Sequence, residues 1–306
     1  MAAYDFDIGV IGGGAAGLTV ASGSAQLGAK TVLVEQEELL GGDCLHFGCV
    51  PSKTLIKSAS VYHQLGRQEM YGLPPVAPEP VDFKAVRGRV QQVVSTIQHH
   101  DSVERFSGLG VAVKFGAASF RDNHLVDTGT EKISARKWVV ATGSSPAALA
   151  LPGLADIATL TNREIFHLDY LPESLIIIGA GPIGIEMAQA FSRLGSKVTV
   201  LQRSSQILSS EDADFADDLK KILENEGIDF HLGCTMLSAA EEGAEKTVAI
   251  RNADGQELKV CGSDILVAAG RRVNVEGLAL ENGGIDFDRK GIVVDRRLRT
   301  SMKNIF

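Results

Sequence analysis

The chain has 306 residues, 44% of them hydrophobic and 33 of them glycine, enough apolar material for two sizeable α/β cores. Its formal charge of −8 argues against nucleic acid or an anionic membrane surface as a partner. The first lysine is Lys30 and the early apolar residues already belong to a strand, turn and helix, so no secretory signal is read and a cytoplasmic location is expected.

Residues 6–11, Phe-Asp-Ile-Gly-Val-Ile, read as a short buried strand, and Gly12-Gly13-Gly14-Ala15-Ala16-Gly17 follows at once and opens an Ala-rich helix to about Gly28. Here the G-x-G-x-x-G pattern has the setting it needs. Its glycines let backbone amides approach a pyrophosphate at a helix N-terminus, where the dipole favours negative charge. Thr31 to Val34 forms the next strand, which ends at Glu35, eighteen residues after Gly17, where a carboxylate can accept from a ribose 2′-hydroxyl.

Directly downstream comes Gly41-Gly42-Asp43-Cys44-Leu45-His46-Phe47-Gly48-Cys49-Val50-Pro51-Ser52-Lys53. Cysteines at i and i+5 of an ideal helix lie about 8 to 9 Å apart at Cα, whereas a disulfide tolerates at most roughly 7 Å. If Cys44 and Cys49 bond, the segment between them departs from regular helix, and Gly48 and Pro51 are residue types that allow it. The alternatives are a buried thiol pair or a metal site on Cys44, His46 and Cys49, although no second ligand pair at zinc spacing occurs elsewhere. Cys234 and Cys261 stand alone and read as core thiols.

Val86, Val90, Val93, Val94 and Ile97 mark the apolar face of a helix ending at His99-His100-Asp101, and the Pro-rich loop 73–80 precedes it. The stretch from Ser144-Ser145-Pro146 to Leu151-Pro152-Gly153 reads as a linker. Ser174 to Ile178 is a second buried strand, followed by Gly179-Ala180-Gly181-Pro182-Ile183-Gly184 and a helix to about Leu194. Two copies of the pattern imply two dinucleotides. The next strand, Lys197 to Leu201, ends at Gln202, again eighteen residues after the last glycine. Without a carboxylate there, a 2′-phosphate meets no repulsion and Arg203 can pair with it, which favours NADP(H) over NAD(H); the alternative is a solvated loop arginine. Further on, Phe215, Leu219, Ile222 and Leu223 recur at helical spacing within 211–226, so the carboxylates there form the solvated face of an amphipathic helix.

The order of a Gly-rich motif, Cys-x4-Cys and Pro-Ser-Lys, together with residues 139–143 (Val-Val-Ala-Thr-Gly), 264–272 (Asp-Ile-Leu-Val-Ala-Ala-Gly-Arg-Arg) and 300–306 (Thr-Ser-Met-Lys-Asn-Ile-Phe), resembles the class I pyridine nucleotide-disulfide oxidoreductases along essentially the whole chain. That resemblance implies two Rossmann-like dinucleotide-binding domains, the second inserted into the first. The expected boundaries are an FAD domain over 1–150, an NAD(P) domain over 151–271 and the return to the FAD domain over 272–306. It implies electrons passing from NAD(P)H through FAD to a Cys44–Cys49 disulfide, with Cys49 toward the flavin and Cys44 toward the substrate. A lowered pKa would suit Cys49 to that role. Lys53 is expected near the reactive flavin nitrogen, paired with Glu186. The further cofactor contacts implied are Gly42, Asp43, Ala118, Thr142 and Gly143 for FAD, and Ile183 and Gly270 for the nicotinamide dinucleotide.

Ser22 and Pro182 stand where glutathione reductases carry an arginine and an aromatic gate, so glutathione is not the expected substrate. Asp43 replaces a usual threonine and places a like charge beside the flavin pyrophosphate; the Gly-Gly-Asp-Cys form is similar to the mercuric reductase-like subgroup. Val273 replaces a usual proline. A small dithiol, a disulfide or a metal ion is the expected substrate, as for dihydrolipoamide dehydrogenase or mercuric reductase. No Cys-x-x-Cys lies between Gly153 and Gly270, which disfavours a thioredoxin reductase-like arrangement. The chain stops before the family's flavin-ribityl aspartate and its dimerisation domain. None of His46, His63, His99, His100, His124, His167 and His231 stands in the context of the family's catalytic base. The expectation is a fragment, monomeric by itself where the parent is a homodimer, with impaired turnover. The competing reading is a non-catalytic nucleotide-binding module.

Overall fold

The computed structural model describes residues 4–306. In chain order the elements are β1 (Phe6–Ile11), α1 (Ala15–Gln26), β2 (Thr31–Glu35), α2 (Gly42–His46), α3 (Cys49–Leu65), α4 (Phe83–Gln98) and α5 (Val103–Gly108). Then come β3 (Val111–Phe115), β4 (Ser119–Phe120), β5 (Leu125–Asp127), β6 (Lys132–Val140), β7 (Ser144–Pro146), β8 (Ser174–Ile178), α6 (Pro182–Leu194), β9 (Lys197–Gln202) and α7 (Ala213–Asn225). The remainder is strand: β10 (Asp229–Leu232), β11 (Thr235–Glu242), β12 (Glu245–Arg251), β13 (Glu257–Gly262), β14 (Asp264–Val267), β15 (Arg271–Val273), β16 (Phe287–Asp288) and β17 (Gly291–Ile292). Two compact units result, one of residues 4–49, 94–145 and 271–306, the other of 50–93 and 146–270.

The first unit is built on a six-stranded sheet of order β3-β2-β1-β6-β5-β4, parallel from β3 through β6 and antiparallel beyond. Strands buried on both faces are continuous apolar runs, and side chains alternate between the faces with period two. Val10 and Leu33 join Leu18, Leu40 and Phe106 on one side. Their neighbours Ile11, Val32 and Val34 join Phe120, Trp138, Leu280 and Ile305 on the other. Trp138 is fully buried and satisfies its indole by donating to the His124 carbonyl at 2.9 Å. The closing residues continue the sheet: Val140 N–H donates to Phe306 O at 2.8 Å, and Phe306 N–H to Trp138 O at 2.9 Å.

The second unit repeats the plan with a parallel sheet of order β10-β9-β8-β14 and a separate antiparallel sheet, β11-β12-β13. Leu175, Ile177, Val198 and Val200 pack with Phe191 and Met187 of α6 and with Leu55, Ala59 and Phe83. Ile176, Ile178 and Leu201 face Val248, Ile250 and Val260. Residues 50–93 thus lie in the unit that the sequence boundaries opened at 151, because the apolar stripes of α3 and α4 bury against α6. Pro182 starts α6 at a position where its missing N–H is no loss, and Gly195 ends the helix in the left-handed conformation.

Two expectations are corrected. On α7 the buried side chains are Ala216 and Leu223, whereas Phe215 and Ile222 are exposed; the packed stripe is rotated one position from the largest apolar residues. Cys261 is exposed, because alternation along β13 turns Val260 and Gly262 inward and Cys261 outward. Cys234 is buried, as a core thiol.

Candidate functional site

Both glycine loops follow the strand and precede the helix that the sequence placed them between. A Cβ on Gly12 would lie 2.4 Å from Ala141 O, and one on Gly17 would lie 1.8 Å from Gly12 O. In the second loop a Cβ on Gly179 would lie 2.5 Å from Ala268 O, and one on Gly184 would lie 2.0 Å from Gly179 O. First and last glycines therefore permit close backbone packing. The middle glycines behave differently: a Cβ on Gly181 meets nothing within 4 Å, and one on Gly14 only Gly42 Cα at 3.8 Å. Gly14 and Gly181 are also the N-caps of α1 and α6, and neither helix start has a side-chain cap. Open space over uncapped N–H groups at two long helices fits a diphosphate. Ala15 and Ala16 lie in the first turn of α1; Ile183, in that of α6, is partly exposed.

The acid at the end of β2 is buried, and its oxygens accept from Gly13 N–H at 2.5 Å and Glu37 N–H at 2.8 Å. Gln202 Oε1 accepts from Ala180 N–H at 3.3 Å, so its carboxamide stands to the second loop as the Glu35 carboxylate stands to the first. Arg203 is exposed. Thr142 and Gly143 are tied to the returning chain, since Asn274 Nδ2 donates to Thr142 O at 2.9 Å and Thr142 Oγ1 donates to Asn274 O at 2.7 Å. Ala118 lies between β3 and β4 with its side chain in the apolar core. Gly270, φ +135°, faces open space.

The cysteine segment is docked on the first loop. Gly41 N–H donates to Gly13 O at 2.8 Å, Gly14 and Gly41 form a parallel bridge, and a Cβ on Gly42 would lie 2.6 Å from Gly14 Cα. Gly41 (φ +114°) and Gly42 (φ +59°) occupy the region that favours glycine. Helix α2 then runs for five residues and breaks at Phe47, whose φ of −136° leaves the helix while its N–H still donates to Asp43 O at 2.8 Å. Gly48 fits where a Cβ would come within 2.9 Å of Asp43 O, and α3 starts at Cys49.

This is the departure from regular helix that a bond between residues at i and i+5 would need. It brings the two thiols into hydrogen-bond contact, with the Cys49 N–H also directed at the Cys44 sulfur. Burial, together with the hydrogen bond and charge of Cys49, pushes the Cys44 thiol up to about 11. Cys44 is half-buried and Cys49 exposed. The imidazole of His46 contacts the Leu40 carbonyl at 3.0 Å through Nε2, and no group of three metal-ligating side chains occurs among the described residues.

In the second unit Lys53 and Glu186 form an ion pair, Nζ to Oε1 2.5 Å. Their side chains are 60% and 38% exposed, so the pair stands half in water. Sequence reading also missed the partner of Asp43. Arg271 donates to its Oδ2 at 2.9 Å and, from the same guanidinium, to Ser144 Oγ at 2.8 Å and Ser144 O at 2.6 Å. The like charge expected at position 43 is therefore countered within the first unit. An acid in the cysteine motif and an arginine just past the second strand-end motif were the only signals, and nothing in the spacing joins them.

Residues 6–306 match the family model described as pyridine nucleotide-disulphide oxidoreductase. The chain is 33% identical over 302 residues to a dihydrolipoyl dehydrogenase of Bacillus subtilis (strain 168), covering 97% of this chain and 65% of that protein. It is 29% identical over 303 residues to a mercuric reductase of Staphylococcus aureus, covering 99% of this chain and 55% of that protein. The HOCl-induced flavoprotein disulfide reductase RclA from Escherichia coli, solved as a Cu(II) complex, is similar with a TM-score of 0.85 at 29% identity, covering 100% of this chain and 65% of that one. The chain spans less than two thirds of the length of each of these relatives. With a family model matched from the first strand to the last residue, two glycine loops of one design and a cysteine pair docked on the first, the chain belongs to the pyridine nucleotide-disulphide oxidoreductase family.

Proposed function

We propose that this chain is the dinucleotide-binding portion of an NAD(P)H-dependent flavoprotein disulfide reductase, with Cys44 and Cys49 as its redox pair. The observation that carries the reading is the broken helix between α2 and α3, which brings two thiols five residues apart into contact on the loop that presents uncapped amides to a diphosphate. FAD in the first site and NADPH in the second would supply the hydride and electron chemistry. Gly14 leaves open space for the FAD diphosphate over the start of α1, Gly12 and Gly17 let the loop pack closely beneath it, and Glu35 is the acceptor we assign to a ribose hydroxyl. Gly181 leaves the corresponding space for the nicotinamide dinucleotide, with Gly179 and Gly184 in the packing role.

Gln202 in the place of a carboxylate, beside the exposed Arg203, supports NADPH over NADH. Glu186 holds the Lys53 ammonium one turn along α3 from Cys49. Cys44 keeps its proton at neutral pH. Closing the bond between the two sulfurs releases two protons and two electrons, and opening it consumes them. The substrate we assign is a small dithiol/disulfide couple or a metal ion, the disulfide or the ion taking electrons from the cysteine pair and the dithiol returning them, consistent with the relatives named a dihydrolipoyl dehydrogenase and a mercuric reductase. A cytoplasmic, reducing setting suits a cysteine pair that cycles. No helix among the described residues is long and apolar enough to cross a membrane.

The test is an anaerobic titration of the FAD-loaded, oxidised protein with NADPH, with Cys44 and Cys49 quantified by alkylation and mass spectrometry. The expected result is two thiols gained per NADPH oxidised, and none in Cys49→Ser. FAD binding with no thiols gained would support the non-catalytic nucleotide-binding module instead.

A further inference from the structure

We propose that Arg271 is a positioning residue for the redox turn: it neutralises Asp43 and ties α2 to Ser144, which is what lets an acidic residue stand beside a diphosphate site. The inference rests on the assignment of that site to FAD under the proposed function. Asp43 follows Gly42, the residue pressed against Gly14, so it lies one residue from the loop whose amides receive the diphosphate. A carboxylate there, left alone, repels an anionic ligand at a distance where such interactions change affinity by an order of magnitude.

Arg271 is oriented before any ligand arrives. Ser144 accepts from it through both Oγ and the main-chain carbonyl, and that fork aims the second N–H of Nη2 at Asp43 Oδ2. Side-chain exposures of 28% and 35% make this a half-sheltered pair rather than a solvated one. A planar guanidinium holds both partners in one fixed fork, whereas a lysine offers only a compact ammonium on a flexible stem.

The same contact bears on the thiols. The Asp43 carbonyl accepts from Phe47 N–H, closing the turn before the break, and Gly48 packs on that carbonyl. Fixing the Asp43 side chain therefore fixes the base of the turn that carries Cys49 to Cys44.

The experiment is a double-mutant cycle with Arg271→Met, Asp43→Asn and both together, plus Arg271→Lys, read in two ways. FAD affinity is measured by flavin fluorescence, and hydrogen exchange of the 41–49 peptide is measured by mass spectrometry on FAD-free protein. Arg271→Met is expected to weaken FAD binding about tenfold, Asp43→Asn in that background to restore it to within about threefold of Asp43→Asn alone, and Arg271→Lys to fall between. In FAD-free protein Arg271→Met is expected to speed exchange of the 41–49 peptide severalfold. A double variant as weak as Arg271→Met overturns the proposal, because Arg271 then acts without Asp43; unchanged exchange overturns it as well. Wild-type protein that fails to bind FAD sinks the proposed function, while exchange in FAD-free protein still decides whether Arg271 holds the turn.

Discussion

Gly181 and Gly184 lie three residues apart in one loop, yet the structure assigns them opposite reasons for being glycine. A Cβ on Gly184 would stand 2.0 Å from Gly179 O, more than 1 Å inside the closest distance that carbon and oxygen tolerate. Relief requires α6 to retreat from β8, and α6 carries Met187, Ala188 and Phe191 into the core. Gly184→Ala is therefore an overpacking change and is expected to destabilise the protein by about 2 to 3 kcal/mol or more. A Cβ on Gly181 meets nothing within 4 Å, and with φ −75° and ψ −179° an alanine is unstrained. Gly181→Ala is expected to leave stability within about 0.5 kcal/mol but to put a methyl group on the floor of the cradle. Paired measurements decide it: denaturant midpoints for both variants, and NADPH affinity for Gly181→Ala. The reasoning fails if the two variants shift the midpoint equally, or if Gly181→Ala binds NADPH like wild type.

Glu226 accepts from Arg193 Nε at 2.8 Å and Nη2 at 2.7 Å, and from Gln189 Nε2 at 3.2 and 3.3 Å. Burial raises its pKa, but the hydrogen bond and charge of Arg193 and the hydrogen bond of Gln189 outweigh burial and hold the carboxyl below its ordinary value. Arg193→Met is expected to cost about 2 kcal/mol at pH 7. Because the folded-state pKa is depressed, this contribution is present above the ordinary carboxylate range and is lost as pH falls through the folded value, which urea melts at pH 7 and pH 3.5 would check. In the reduced protein Cys44 is expected to resist iodoacetamide at pH 7 and to react faster as pH rises toward its value of about 11; full reactivity at pH 7 would contradict the thiol contact. Lys53→Met removes a half-exposed pair and should cost under about 1 kcal/mol, yet slow reduction of the bound flavin by NADPH in stopped flow; an unchanged rate would remove Lys53 from the mechanism.

Local patterns carried most of the fold. Strands such as Ser174–Ile178 are apolar on both faces, their helices begin at Gly-rich loops, and each motif places its decisive residue eighteen positions after the last glycine. Such features depend on neighbours in the chain, so they survive without tertiary information. The helix of 213–225 was legible as a helix but not in its rotation: Phe215 and Ile222, the largest apolar groups, lie outside the packed stripe of Ala216 and Leu223. Which stripe packs depends on what the rest of the unit offers, and that is not written in the helix itself.

By itself the sequence determined the doubled dinucleotide plan, the spacing of the two cysteines and the break in the helix that a bond between their sulfurs would need, because glycine sterics and the i, i+5 spacing act over a few residues. Only the tertiary structure decided that residues 50–93 pack in the second unit, that Cys261 faces outward, that the Lys53–Glu186 pair stands half in water, and that Arg271 meets Asp43. Each of these joins positions far apart in the chain, or depends on which face of an element finds a partner, and contacts of that kind are set by packing rather than by pattern.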